Sequence, residues 1–459
     1  MTDIELATEK ARDLIEMTVA KSRLLSPQNE PKLSVTQKAL IIGGGISGMT
    51  AALNIAEQGF PVYLVEKEKK LGGLLNDLYL LYPTQEDAAT FLQEIVVNIK
   101  KNKNIEICLE SRVKEVKGYI GNFDVSIINS KNEGNNLNVG IIIVATGGRE
   151  LEPNNVFHYT DNNQNIITQL ELEKKLKDKD RSWLDEVKRV TTILCVNARE
   201  KEGITYCSNI CCAVSIKNMN ILKELKPDLE IIILYRDFQM AKKEFEEYFF
   251  DRRKDAILLR YDIEGLPEIT KIGKKPENYE IKVFDINLQD NITFETDFIV
   301  LSPPMIPAEN SQELAQILKV PLDKSGFFLE AHAKLRPVDF ATDGIFLCGC
   351  THWPKHIQES ITQGNGAAGR ASRYLSSEDI IASGLVAEVK DELCVGCKVC
   401  IRLCPYNAIY KNEEDKVVIN KLLCKGCGVC GASCPENAIK VFHFTNEQIL
   451  SEIIAYGGE

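Results

Sequence analysis

The sequence has no long hydrophobic run. Its longest apolar stretches, IIIVA at 141–145 and EIIILY at 230–235, have the length of β-strands and are far too short to cross a bilayer. The first residues, MTDIELATEKARDLIEM, are charged and lack the apolar core and small-residue cleavage site of a secretory signal. We therefore expect a cytoplasmic protein with no direct membrane span.

Basic charge is also in deficit, because 55 Lys and Arg face 66 Asp and Glu and the net charge is -11. Nucleic acid and anionic lipid are bound through basic surfaces, so neither is expected to be the main partner. With 44% hydrophobic and 26% charged residues the composition is that of a folded protein. At 459 residues the chain exceeds one hydrophobic core, and a prior of roughly 150 residues per domain suggests about three units.

What the sequence has in excess is cysteine. Fifteen cysteines without a secretory signal indicate metal ligation or redox chemistry rather than a disulfide framework. Eight of them form two copies of C-x2-C-x2-C-x3-C-P, in which each loop gives three thiolates to one 4Fe-4S cluster and its fourth to the other. Zinc sites or disulfides are the alternative, although zinc fingers rarely repeat such loops in tandem. The predicted ligand sets are Cys394, Cys397, Cys400 and Cys434 for one cluster, and Cys424, Cys427, Cys430 and Cys404 for the other.

A dinucleotide-binding motif lies near the start of the chain. Gly43-x-Gly45-x-x-Gly48 follows the apolar segment KALII and opens a helical segment, and Glu66 ends the next strand, VYLVE. Glycines allow a tight turn and a close approach to a pyrophosphate, the helix N-terminus stabilises its charge, and the acid binds ribose hydroxyls. A structural glycine turn is the alternative.

Three later segments favour FAD over NAD. They are EKEKKLGG (66–73), VATGG (144–148) and TDGIFLCGC (342–350), the last of which precedes the helical segment ITQGNGAAGRAS. This order resembles flavoproteins of the two-dinucleotide-binding type, most of which carry an acid where this chain has Cys350. The resemblance implies FAD contacts at Gly43, Gly45, Ile46, Ser47, Gly48, Glu66, Lys67, Gly72, Gly73, Val113, Ala145, Thr146, Gly147, Gly349, Cys350, Ile357 and Gln363.

A second glycine-rich turn is missing. Where the second α/β unit should show one, the chain reads TILCVNAREKEGITYCSNICCAVSIKN. This segment carries Cys195 at a strand end, and Cys207, Cys211 and Cys212 at the predicted start of the next helix. A third 4Fe-4S cluster is one interpretation, and a vicinal redox pair or buried apolar cysteines is the other. The spacing alone does not decide between them.

The order of predicted elements gives the fold class and the domains. An amphipathic helix over 2–24 precedes strands that alternate with helices through residue 301, which is typical of α/β units. We predict a two-dinucleotide-binding, thioredoxin-reductase-like flavoprotein core with a C-terminal α+β double-cluster ferredoxin domain. The expected segments are 1–36 (helix and linker), 37–188 (FAD-binding domain), 189–301 (second unit with a cluster), 302–375 (return to the FAD domain), 376–390 (helical linker), 391–444 (ferredoxin domain) and 445–459 (tail).

Taken together, the motifs resemble the A subunit of heterodisulfide reductase. The resemblance is carried by KALIIGGGISGMTAAL, YLVEKEKKLGG, VKEVKGYIGNF, YCSNICCAVSIKN, AKLRPVD, GIFLCGCTHWPKHIQESITQ and the double cluster motif. It implies that Cys195, Cys207, Cys211 and Cys212 hold a third 4Fe-4S cluster, and that Lys217 lies by the reactive edge of the flavin. A surface lysine is the alternative for Lys217. Full-length members carry an N-terminal domain and an inserted ferredoxin module that have no counterpart here, so a shortened form is expected.

The expected function is that of an electron-transfer subunit with one FAD and three 4Fe-4S clusters. Its expected partners are other redox subunits, of the heterodisulfide reductase B and C kind or a ferredoxin, hydrogenase or dehydrogenase module, with a homodimer within the complex as a further option. Two rival functions stay open. One is a self-contained NAD(P)H-dependent flavin oxidoreductase, and the other is a docking subunit whose FAD is structural.

Overall fold

The computed structural model describes residues 3–27, 32–154, 156–160, 163–240, 242–273, 278–381, 385–406, 408–421 and 423–457. These residues form eleven α-helices and twenty-four β-strands. The helices are α1 (Ile4–Ser22), α2 (Ile46–Glu57), α3 (Ala88–Lys101), α4 (Gln169–Lys177), α5 (Cys211–Leu225), α6 (Lys243–Arg252), α7 (Ser311–Leu318), α8 (Ile357–Leu375), α9 (Val399–Leu403), α10 (Val429–Ala432) and α11 (Asn446–Gly457).

The strands are β1 (Lys32–Ser34), β2 (Ala39–Ile42), β3 (Val62–Val65), β4 (Ile105–Cys108), β5 (Ser111–Tyr119), β6 (Asn122–Asn129), β7 (Gly134–Val139), β8 (Ile141–Val144), β9 (Gly148–Glu150), β10 (Ile166–Thr168), β11 (Arg189–Ile193), β12 (Glu230–Tyr235), β13 (Ile257–Arg260), β14 (Glu268–Lys271), β15 (Tyr279–Asp285), β16 (Asp290–Thr296), β17 (Phe298–Leu301), β18 (Met305–Pro307), β19 (Ile345–Leu347), β20 (Asp379–Ile381), β21 (Ala387–Val389), β22 (Ile409–Lys411), β23 (Val417–Ile419) and β24 (Ile439–Val441). The chain divides into one compact unit of residues 36–376 and another that combines 1–35 with 377–459.

The unit of residues 36–376 begins with a parallel sheet of order β19-β8-β2-β3-β4. All residues of β2 and β8 are buried, as expected of parallel strands covered on both faces. Helices α2 and α8 contribute alanines to one buried cluster, and the antiparallel sheet β5-β6-β7 contributes to the other. This arrangement gathers the ends of β2, β3, β8 and β19 at one edge of the sheet.

A second parallel sheet, of order β10-β17-β11-β12-β13, repeats this design together with the antiparallel sheet β14-β15-β16. Strand β10 lies before residue 189, so the second sheet begins earlier along the chain than the predicted second unit. Strand β18 pairs with β9, and β19 rejoins the first sheet. The predicted two-dinucleotide-binding core is confirmed.

The other unit contains two matching halves around the cysteine motifs. Strand β21 pairs with β24, and β22 pairs with β23, while α9 and α10 contain the third cysteine of each loop, Cys400 and Cys430. The predicted helical linker at 376–390 is wrong. The β-branched Ile380 and Ile381 instead lie in β20, which pairs antiparallel with the distant β1. Such side chains favour a paired strand, and this preference prevails over a local helix.

Helix α1 packs against α11 within this unit. It begins at Ile4, capped by Asp3, whereas residue 2 of the predicted helix lies outside the described residues. Two polar contacts join the segments: Lys21 lies 3.2 Å from the Glu452 carboxylate, and Gln448 donates to the carbonyl oxygen of Leu24, just after α1, at 2.9 Å. Across the described part of the chain, we find no helix with both the length and the apolar character needed to cross a bilayer.

Candidate functional site

The glycine turn between β2 and α2 is shaped by close backbone contacts. Gly43 has φ +113°, and a Cβ there would lie 2.3 Å from the Ala145 carbonyl oxygen. A Cβ on Gly48 would lie 1.9 Å from the Gly43 carbonyl oxygen. At Gly45, by contrast, a Cβ would meet no atom within 4 Å, and α2 begins there without a side-chain cap. The free first turn of α2 therefore faces open space that suits a pyrophosphate.

Glu66 lies directly after β3 and is buried, with 7% of its surface exposed. Its Oε2 accepts a hydrogen bond from the Gly44 N–H at 2.6 Å, and its Oε1 accepts one from the Glu68 N–H at 2.9 Å. These two bonds fix the carboxylate against the glycine turn. An acceptor pair in this position suits ribose hydroxyls.

The neighbouring residues lie at the same edge of the sheet. Gly72 forms a β-bridge with Gly45, and a Cβ on Gly73 would lie 3.4 Å from the Gly45 Cα. The Lys67 side chain is 41% exposed and lies 3.7 Å from a neighbouring carboxylate. Val113, on β5, packs its side chain into the core next to the ends of β2 and β3, so a cofactor could contact only its backbone. Ile46 and Ser47 form the first turn of α2.

The segment after β8 pairs with the segment after β19. The Gly147 N–H donates to Thr351 Oγ1 at 2.7 Å, and the Thr146 and Thr351 hydroxyls lie 2.9 Å apart. Gly349 has φ +75°, and a Cβ there would lie 2.1 Å from Ser47 Oγ. Ala145 is buried beside Gly43. The structure thus joins three separate parts of the predicted FAD site.

Helix α8 completes this edge. Gln363 Oε1 accepts from the Gly349 N–H at 2.9 Å, and Ile357 is the first residue of the helix. His356, directly before the helix, is buried, and its N–H donates to the Glu359 carboxylate at 3.0 Å. Its Nε2 donates to the Asn209 carbonyl oxygen at 3.0 Å, and burial lowers the pKa of His356 to about 4. The Cys350 Sγ lies 3.5 Å from a backbone carbonyl oxygen, and burial raises its pKa, so it offers no charge where related flavoproteins carry an acid.

Each of two small cavities in this unit is surrounded by cysteines of the two ferredoxin motifs. The cysteines that line them are Cys394, Cys397, Cys400 and Cys434 in one, and Cys404, Cys424, Cys427 and Cys430 in the other. In each cavity three cysteines come from one loop and the fourth from the other, as in the predicted ligand sets. Backbone N–H groups donate to the sulfurs of Cys404, Cys424 and Cys434 at 3.3 Å. Such bonds suit thiolates that hold a cluster.

The third cysteine group lies at the edge of the second sheet. Cys195 follows the end of β11, and Cys211 and Cys212 open α5. Cys207 lies in the loop before α5 rather than in the helix, and its sulfur accepts from the Asn209 N–H at 3.3 Å, as in the ferredoxin motifs. The four thiols all interact electrostatically with one another. The segment thus brings all four predicted ligands together.

Burial sets the chemistry of this group. It raises the pKa of Cys212 to about 12 and that of Cys211 well above its usual range, and in both cases the neighbouring thiols add to the effect. Two guanidinium nitrogens, Arg199 Nη1 and Arg236 Nε, are buried with no hydrogen-bond partner among the described residues. Protonated thiols would be poor acceptors for these donors, because a thiol sulfur accepts hydrogen bonds only weakly. A cluster would supply sulfur acceptors there and keep the cysteines as thiolates. The residues fit the group.

No three His, Cys, Asp or Glu side chains in the described ranges converge as ligands of a single metal ion. This holds for the ferredoxin motifs as well. A cubane distributes its four thiolates over four irons, so convergence on one point is not required.

Lys217 lies on α5 and is 2% exposed. Its Nζ donates to the Leu80 carbonyl oxygen at 2.7 Å and to the Glu173 carboxylate, and the other Glu173 oxygen accepts from the Tyr79 N–H at 3.0 Å. Burial lowers the pKa of Lys217. The surface-lysine alternative is therefore wrong.

Sequence reasoning missed Thr351, Glu173, Arg199 and Arg236. Thr351 follows Cys350 in the TDGIFLCGCT segment and could have been suspected from that position. The other three have no motif of their own, since their partners lie far away along the chain. Cys348 belongs to one hydrophobic cluster and Cys108 packs against the other, so neither lies with the predicted ligands.

Comparisons with known proteins agree with this geometry. The family model for pyridine nucleotide-disulphide oxidoreductases matches residues 37–193 and ends with β11, just before Cys195. The model for a 4Fe-4S dicluster domain matches residues 393–438. A thioredoxin reductase from Lactococcus lactis aligns with a TM-score of 0.51 at 15% identity, over 74% of this chain and 99% of its own, which shows a shared fold.

Two curated relatives cover nearly the whole chain. The A subunit of the H(2):CoB-CoM heterodisulfide,ferredoxin reductase of Methanothermobacter thermautotrophicus is 35% identical over 544 residues, which is 99% of this chain and 81% of the relative. The iron-sulfur A subunit of the CoB--CoM heterodisulfide reductase of Methanocaldococcus jannaschii is 31% identical, over 99% of this chain and 82% of the relative. Because the first alignment spans 544 positions and the chain has 459 residues, the relative carries segments that this chain lacks.

The resemblance inferred from the motifs is thus confirmed, as are the oxidoreductase class and the presence of flavin and 4Fe-4S domains. The chain belongs to the family of heterodisulfide reductase A subunits, which makes it an iron-sulfur flavoprotein.

Proposed function

We propose that this chain relays electrons between one FAD, held at the edge of the first sheet, and three 4Fe-4S clusters. The observation that carries the proposal is the end of β11. A nicotinamide dinucleotide needs a glycine-rich turn at that place, and the chain has Cys195 there with Cys211 and Cys212 at the start of the following helix. A cluster would fill the volume that a second pyrophosphate requires.

FAD can hold two electrons and exchange them together or one at a time, whereas a 4Fe-4S cluster exchanges single electrons, so together they would link two-electron and one-electron chemistry. The protein's own contribution is to position and shield these groups. Glu66 and the free first turn of α2 would hold the ribose and the pyrophosphate. The buried position of Cys212 would limit the access of water to the third cluster.

Lys217 is proposed to act at the reactive edge of the flavin. Its support is the buried ion pair with Glu173, because a lysine kept out of water by a carboxylate and a carbonyl has a defined position. We propose that Glu173 orients the amine and that the Leu80 carbonyl fixes its distance.

The partners are proposed to be other redox subunits. The relatives are named as subunits of reductases that act on the CoB-CoM heterodisulfide, one of them together with ferredoxin. We propose heterodisulfide reductase B- or C-like subunits, or a ferredoxin, hydrogenase or dehydrogenase module, as donors and acceptors. A homodimer and a cytoplasmic location stay predictions.

Stopped-flow mixing of the oxidised, anoxic chain with reductants tests this function. NADH and NADPH are expected to leave the flavin absorbance unchanged, whereas dithionite should bleach the flavin and the clusters. Flavin bleaching by NADH within seconds would favour the self-contained oxidoreductase. A flavin that dithionite cannot reduce while the clusters bleach would favour the docking subunit.

A further inference from the structure

The loop after β11 has an unusual backbone. Cys195, Asn197 and Arg199 have φ values of +59°, +55° and +58°, in the left-handed region that residues with a side chain adopt only at a cost. A loop with three such residues needs strong contacts to hold it. Those contacts position the Cys195 thiol.

Arg236, directly after β12, supplies these contacts. Its Nη2 donates to the carbonyl oxygens of Cys195, at 3.1 Å, and of Ala198, and its Nη1 donates to that of Arg199 at 3.1 Å. The side chain is buried, with 7% of its surface exposed. A permanent positive charge is thereby held beside Cys195.

Arg199 brings a second charge to the same place. Its Nη2 donates to Asp237 Oδ2 at 2.9 Å, and Arg260 Nη2 donates to the other Asp237 oxygen at 2.9 Å. One carboxylate thus serves two guanidinium groups. A guanidinium is not deprotonated in proteins, so Arg199 stays charged.

The Arg199 side chain is 28% exposed, but one of its guanidinium nitrogens is not. Its Nη1 is buried and has no hydrogen-bond partner among the described residues. Arg236 donates to the Cys195 carbonyl oxygen, and Arg199 lies four residues further along the same loop, so both charges lie close to this cysteine. Buried N–H donors are satisfied in nearly all proteins, and a sulfur of a bound cluster is the acceptor that the cysteine set offers.

On the basis of the third cluster proposed above, we infer that Arg199 donates a hydrogen bond from Nη1 to a sulfur of that cluster and raises its reduction potential. Reduction adds one electron and no proton, so the cluster gains one negative charge while the donor loses one electron. A fixed positive charge and an N–H donor stabilise the more negative form, since potentials of clusters follow net charge and hydrogen bonds to sulfur. Arg199 is a positioning and tuning residue, not a catalytic one.

Redox titrations of the FAD-loaded, cluster-loaded chain, followed by electron paramagnetic resonance, test this inference. In Arg199→Gln the reduced-to-oxidised ratio of one cluster at a fixed potential should fall about tenfold, which is about 59 mV for a one-electron couple. Arg199→Lys keeps a charge and should shift less. Asp237→Asn removes the compensating carboxylate and should shift the same cluster in the opposite direction.

Arg189→Gln is the matched control. Arg189 begins β11, the strand that leads into the loop of Arg199, and it also pairs with a carboxylate, that of Glu230. It should leave all midpoint potentials unchanged. Identical titrations of wild type and Arg199→Gln, with about twelve irons in both, would overturn the inference alone. About eight irons in the wild type would overturn the third cluster itself. Should Arg199→Gln lose the cluster, an unshifted midpoint in Asp237→Asn would still refute the tuning role.

Discussion

Replacing Lys217 with methionine gives the sharpest test of the buried ion pair. The change keeps the length of the side chain but removes the amine, and it leaves the Glu173 carboxylate, 1% exposed, with the Tyr79 N–H as its remaining hydrogen-bond donor. Breaking a buried pair in this way typically costs about 3–5 kcal/mol of unfolding free energy, because one charge stays buried without compensation.

A second substitution should reverse part of that loss. In the double variant Lys217→Met/Glu173→Gln no buried charge remains, and the amide oxygen of the introduced glutamine can still accept from the Tyr79 N–H. We therefore expect the double variant to be more stable than the Lys217→Met single variant. Lys201→Met is the control, since Lys201 pairs with Glu264 on the surface, where such pairs contribute about 0–1 kcal/mol.

Chemical unfolding of the FAD-loaded protein, followed by flavin fluorescence, measures this stability. Cluster absorbance is recorded in parallel, because a protein of two units need not unfold in one step. A Lys217→Met variant within about 1 kcal/mol of wild type would show that Glu173 is not charged in the folded protein. A double variant as unstable as the single one would show that the two side chains are not coupled.

Three further predictions concern the cofactors and pH. Changing Cys211 and Cys212 together to serine should lower the iron content from about twelve to about eight per chain while flavin content is unchanged; joint loss of all clusters would contradict independent sites. Glu66→Ala should weaken FAD retention, measured as flavin per chain after gel filtration, because ribose loses its acceptor; unchanged occupancy would place the dinucleotide elsewhere. His356 binds protons more readily in the unfolded chain, where its pKa is about 6.5, than in the folded protein, where it is about 4. Stability should hence fall as pH drops from 6.5 through 4, by about 2 kcal/mol between pH 7 and 5, and His356→Gln should remove this dependence in unfolding experiments at both pH values.

The glycine turn, the acid after β3 and the cysteine loops could be predicted because their chemistry depends on local backbone geometry and fixed spacing. Gly43 is required by a contact with a residue of the adjacent strand end, and such contacts recur wherever this turn is built. The paired cavities of the ferredoxin motifs follow from spacing in the same way.

The rest depends on partners that are distant in sequence. Glu173 meets Lys217 across 44 residues, and β20 pairs with β1, which lies more than 300 residues earlier. Local periodicity therefore misread 376–390 as helical. Arg199 carries no signal of its own, because its role depends on Arg236 and on the loop that Arg236 holds.

The unit that contains the ferredoxin motifs is built from residues 1–35 and 377–459, so the oxidoreductase unit is, in topological terms, an insertion within it. Helix α1 leaves the ribosome roughly 400 residues before its partner α11, which at 5–20 residues per second is a delay on the order of 20–80 s. During that time the sheets between them can fold and take up flavin. All residues of the flavin site precede both cysteine loops along the chain and are synthesised first, whereas the ferredoxin unit can be completed only once both ends of the chain are available.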